Sequence, residues 1–83
     1  MKLITSHHSR KRAFERLIES NEPLGELEHQ FMDKLLLESI IPFRGGMVEG
    51  SKYYAQIDGY PNHRAVIVVQ DNTHIIKTVI PTF

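Results

Sequence analysis

Apolar positions recur at helical spacing through the first half of the chain and gather into short, nearly continuous runs through the second. Between Ser6 and Ser20, residues Ala13, Phe14, Leu17 and Ile18 share one arc of a helix, and His8, Arg12 and Arg16 form a row outside it. Arg10 falls inside the apolar arc and must either precede the packed turn or reach out along its own stem. Asn21, Glu22 and Pro23 read as a stop and restart. A second amphipathic stripe then runs through Leu24, Leu27, Phe31 and Leu35 with Met32 and Leu36 beside it, and Pro42 ends that helix no later than Ile41. Arg44 to Gly50 is glycine-punctuated, either a loop or a short edge strand with a bulge.

From Lys52 onward the period shortens. SKYYAQI, RAVIVVQ and THIIKTVI read as strands, separated by DGYPNH and by a tight turn at Asp71 and Asn72. A two-residue hairpin at that turn sets Val68 opposite Ile75, Ile67 opposite Ile76 and Ala65 opposite Thr78. Both faces of the hairpin are then largely apolar, which places it near the centre of a sheet with helix on one face and leaves Lys77 and Thr78 as polar exceptions. The predicted fold is α+β: two N-terminal helices followed by an antiparallel β-meander of three to four strands.

Composition narrows the setting. A chain of 83 residues with 41% hydrophobic and 24% charged residues has room for one domain, 1–83, with one modest core. It has no cysteine, so no disulfide or thiolate metal site can form, and a reducing cytoplasmic setting is expected. The apolar runs Leu35 to Leu37 and Ala65 to Val69 fall far short of the ~20 residues that span a bilayer. The opening MKLITSHHSRKR has no apolar core of an export signal. No membrane role is expected.

The net charge of zero hides an uneven distribution. Lys2, Arg10, Lys11, Arg12 and Arg16 face Glu15 alone in the first segment, whereas Glu19 to Glu38 is acidic apart from Lys34. Residues four apart on a helix are neighbours, about 5 to 6 Å apart at Cβ, so the row His8, Arg12, Arg16 concentrates like charge. An anion would relieve it: guanidinium groups bind phosphate bidentately and histidine exchanges a proton near neutral pH. On spacing alone the plainer account is a solvated basic helix face balanced by Glu15 and Glu19. His7, His29, His63 and His74 show no metal-ligand spacing, and phosphate-binding glycine loops and nucleophile motifs are absent. Lys52, Tyr53 and Tyr54 join a cation to two rings that face opposite ways in a strand, so at most one can stack a base, and packing is the plainer account for both.

The ensemble HSRKRAFER, an amphipathic second helix, KYYAQI, AVIVV and IIKTVI resembles the barnase, EndoU, colicin and RelE superfamily of metal-independent ribonucleases, many of them toxins. The likeness is carried by the spacing His-x-x-x-Arg-x-x-x-Arg at His8, Arg12 and Arg16 and by a last strand with Thr78 after Ile76 and Lys77. It implies an endoribonuclease without cofactor or metal. His8 would be its acid or base, Arg12 and Arg16 its phosphate clamp, and Thr78 a hydrogen-bond donor to phosphate, with Lys52 and Tyr54 as further substrate contacts. RNA and a neutralising antitoxin or other protein are the implied partners. The alternative is a non-catalytic module on the same scaffold, engaging a protein partner through the acidic second helix or an exposed strand edge. The residues offer no second acid or base beside His8.

Overall fold

The computed structural model describes residues 2–43, 45 and 47–82. Its elements are β1 (Lys2–Thr5), α1 (His7–Leu17), α2 (Glu26–Ser39), β2 (Lys52–Gln56), β3 (His63–Gln70) and β4 (Thr73–Pro81). The four strands form one sheet in the order β1-β4-β3-β2. The α+β class holds, but two parts of the expectation do not. A strand precedes α1, so the helices do not open the chain, and β1 runs parallel to β4, so the sheet is mixed and the meander is only its β2-β3-β4 part. KLIT is too short to show a period, and its partner, Thr73 to Ile76, lies at the far end of the chain.

Helix α1 starts where its cap dictates. The Ser6 hydroxyl accepts the Ser9 amide at 3.1 Å and the Ser9 hydroxyl accepts the Ser6 amide at 2.9 Å, a reciprocal capping box. The helix ends at Leu17, short of Ser20, because Glu19 turns into the left-handed region at φ 61. Ser9, Ala13 and Leu17 are its buried line. In α2, Met32 and Leu36 are buried, with Leu24 and Leu35 packed against the same core. Leu27 and Phe31, expected in that stripe, are instead 76% and 55% exposed. The sheet needs only a narrow strip of α2.

The Asp71–Asn72 turn takes φ values of 50 and 57, the primed geometry that matches strand twist. Val68 faces Ile75 and Ile67 faces Ile76 as the turn predicts. Beyond that point Val66 faces Thr78 and Ala65 faces Val79, not Thr78. Lys77 is left over as a β-bulge, an extra residue that turn length could not reveal and that exchanges the faces of everything after it. Val79 thereby enters the core, and Thr78 goes to the opposite face.

The core lies between the helices and one sheet face, built from Ala55, Ala65, Ile67, Ile76 and Val79 against Ala13, Leu17, Met32 and Leu36. The Val, Leu, Ile and Met side chains among them contribute roughly 1.5–3 kcal/mol each when fully buried. The alternate residues Ile4, Val66, Val68, Ile75 and Ile80 are only half-buried. Arg44 and Gly46, within the glycine-punctuated stretch, lie outside the described residues. That stretch ends in a turn where Gly50, at φ 84, and Ser51 both oppose Val69, a bulge whose left-handed first position suits glycine.

Candidate nucleic-acid interface

The parallel partner β1 ends opposite Ile76, so among the described residues the outer edge of β4 has no strand partner from Lys77 onward. Helix α1, reached through Ser6 alone, borders that open edge. The Ser6 hydroxyl donates to the carbonyls of Ile76 at 2.7 Å and Lys77 at 3.4 Å, and the Arg16 guanidinium donates to the carbonyl of Val79. These two anchors bracket Lys77 and Thr78. The row His8, Arg12, Arg16, one position before each buried residue Ser9, Ala13 and Leu17, therefore follows the part of β4 that holds its polar break.

Each member sits differently. His8 is exposed, and Lys11 beside the row is exposed too. Arg12 donates to Glu15 at 2.9 Å, with its side chain 38% exposed. Such exposed pairs contribute about 0–1 kcal/mol, so Glu15 holds Arg12 weakly. Arg16 uses one donor on Val79 and keeps the rest of its fork. Lys77 projects from the bulge, exposed. Sequence reasoning did not include it in the site; a charged residue inside IIKTVI was the available signal.

Thr78 points away from the core, onto the sheet face that carries no buried residue. There it stands in register with Val66, which in turn faces Tyr54 on β2. Tyr54 and Thr78 are thus two strand spacings apart, roughly 10 Å, across one open face. The Lys52 ammonium lies 6.0 Å from the centre of the Tyr54 ring on that face. The fold brings Lys52, Tyr54 and Thr78 to one surface, the sheet face away from α1, and keeps His8, Arg12 and Arg16 on the helix side of the β4 edge, where Arg16 reaches the Val79 carbonyl. Tyr54 is 57% exposed, where packing was expected.

Tyr53 does pack. Its hydroxyl lies 2.6 Å from Nδ1 of the buried His74 and accepts the Phe43 amide at 3.2 Å. Burial pushes its pKa up, and the bond from Phe43 opposes this. A second polar network joins β1, α1 and α2: Thr5 donates to Asp33, and Arg10 donates to Thr5 at 2.7 Å and to Nδ1 of His29 at 3.0 Å. Here Arg10, inside the apolar arc, finds its outlet. His7 lies against His29 in a tilted pair with ring centres 4.6 Å apart. His29 is held below the usual histidine value, first by desolvation, then by His7 and Arg10, against a smaller opposing effect of Glu28.

Among the described residues no three His, Asp or Glu side chains converge as a metal-binding group, and no helix is long and apolar enough to cross a membrane. No protein-family model matches this chain, and neither a curated protein nor a solved structure shows significant similarity to it.

Proposed function

We propose that this protein binds RNA across its open sheet face and cleaves it without a metal at the seam between α1 and β4. The observation that carries this reading is the pair of anchors, Ser6 on Ile76 and Lys77 and Arg16 on Val79, which aligns the basic row with the bulged Lys77 and with Thr78. Bulges are common beside active sites because they re-aim a side chain. The resemblance to metal-independent ribonucleases supplies the chemistry.

In that chemistry His8 removes the proton of a ribose 2′-hydroxyl, and the 2′-oxygen attacks the adjacent phosphorus. The bond from phosphorus to the 5′-oxygen breaks, leaving a 2′,3′-cyclic phosphate, and the departing oxygen takes a proton from water. Arg12, Arg16 and Lys77 offset the charge that grows on the phosphate oxygens, and the Thr78 hydroxyl donates to one of them. A bidentate phosphate displaces the single bond from Arg12 to Glu15. Tyr54 offers a ring for a neighbouring base, with Lys52 beside it for the next phosphate. The natural substrate in this reading is cytoplasmic RNA, and a neutralising protein partner follows from the toxicity of such an activity.

Purified protein incubated with total RNA and EDTA is expected to cleave it, and His8→Ala to abolish cleavage while retaining binding. Arg12→Gln is expected to weaken single-stranded RNA binding about tenfold and to lower the salt slope by about 0.7, one phosphate contact. Intact RNA at high protein concentration, with binding still dependent on salt and on Arg12, reduces the reading to RNA binding alone. Absence of both overturns it.

A further inference from the structure

The β2 edge of the sheet is open in a different sense from the β4 edge. The Val69 amide donates to Ser51 and the Gly50 amide to Val69, so Ser51, Tyr53 and Ala55 turn their peptide groups toward β3. Lys52, Tyr54 and Gln56 turn theirs outward. Just beyond, the bridge between Ile40 and Ile57 and the bond from the Asp58 amide to Ser39 close the edge. Among the described residues, what stays free runs from Lys52 through Tyr54 to the Gln56 amide, the bridge directing the Ile41 amide at the Gln56 carbonyl, and KYYAQ contains neither proline nor an internal bulge to protect it.

Apolar side chains border the same edge. Ile41 is 80% exposed and Phe43 53%, and both line a groove of about 630 Å³ together with Tyr54 and Gln56. Charge is uneven along the edge: Lys52 stands at one end of β2, and at the other the groove is lined by two acids, Glu38 and Asp58, against one cation, Arg64. A two-fold axis through Tyr54 reverses one strand against the other, which sets the basic end of each copy against the acidic end of its mate.

We infer that two copies of this chain associate edge to edge through antiparallel pairing of their β2 strands, joining two four-stranded sheets into one. In this pairing Tyr54 faces Tyr54 of the second copy, and Lys52 faces Gln56 of the second copy. The outward peptide groups of Lys52 and Tyr54 and the Gln56 amide find partners. Lys52 lies diagonal to Asp58 of the second copy, within reach of a long side chain. The two open faces become continuous, with the two His8 rows at their far rims.

Absence of cysteine makes the register directly measurable. Residues paired at the axis have Cα atoms about 5.5 Å apart, inside the span a disulfide bridges. Mild oxidation of Tyr54→Cys is therefore expected to give a covalent dimer in high yield. Lys52→Cys or Gln56→Cys alone is expected to give little, and a mixture of those two to cross-link. In sedimentation equilibrium the unmodified chain is expected to show a concentration-dependent dimer, weakened at least tenfold by Tyr54→Pro, which removes one outward N–H and none directed at β3. Should that proline unfold the chain by circular dichroism, Tyr54→Lys, which sets like charges opposite each other at the axis, is expected to weaken the dimer equally. A chain that stays monomeric at millimolar concentration overturns the inference, as does cross-linking that favours Lys52→Cys alone. These readouts contain no RNA, so they stand or fall apart from the ribonuclease reading.

Discussion

At the scale of single residues, the polar side chains divide by what they touch. Arg10 and Arg16 look alike in the sequence, yet Arg10 ties α1 to His29 and Thr5, whereas Arg16 donates to the Val79 carbonyl of β4. His29 provides a pH test. Desolvation first, then the neighbouring His7 and Arg10, lowers its pKa below the unfolded value of about 6.5, and its Nδ1 accepts the Arg10 N–H as a neutral ring. The unfolded chain then binds more protons in the window between the two values. Stability from this residue is complete above pH ~6.5 and declines as the pH falls toward the depressed folded value. Urea midpoints at pH 7.5 and 5.0 are expected to differ in the wild type and to converge partly in His29→Asn, whose Oδ1 accepts the same bond without titrating. An unchanged pH dependence in that variant assigns the effect to other groups.

At the scale of elements, the bulge in β4 decides most. Strand alternation from the Asp71–Asn72 turn sends Thr78 to the core, and the extra residue Lys77 reverses this so that Val79 goes in. Deleting Lys77 removes the extra residue without changing a pair, because Thr78 then follows Ile76 directly, opposite Val66, and Val79 still faces Ala65. The expected change in stability is about 1 kcal/mol or less. Val79→Thr, which places a hydroxyl at the inward position, is expected to cost about 1–3 kcal/mol. Denaturant titration of the two variants checks this; a loss on deleting Lys77 as large as that of Val79→Thr argues against the register explanation. Helix ends follow equally local rules. Ser6 and Ser9 set the start of α1 legibly, but nothing in the composition of Glu19 announces a left-handed residue.

At the scale of the whole molecule, β3 and β4 are the interior strands and β1 is a four-residue edge held on one side only. Parallel pairing of β1 to β4 closes nearly the entire chain, and its contacts with α2 are few. Hydrogen exchange is expected to show Ile67 and Ile76 opening only with global unfolding, and the β1 amides exchanging through a smaller, earlier opening. Equal protection of both sets would show that β1 belongs to the same cooperative unit as the centre of the sheet.

Much of this architecture was written locally. The periods of the two halves gave the helices and the three later strands, and the Asp71–Asn72 turn gave the hairpin and its first pairs. The spacing of His8, Arg12 and Arg16 gave their row. These follow from contacts among residues close in the chain, where backbone geometry alone relates one position to the next. Tertiary structure decided the rest. It recruited KLIT as a strand and left Leu27 and Phe31 in water. It also turned Thr78 and Tyr54 to a common face and set the basic row against β4. Those outcomes depend on which distant surface each segment meets. A bulge, a parallel partner and the width of the covered strip are fixed by packing between elements, and no local period encodes them.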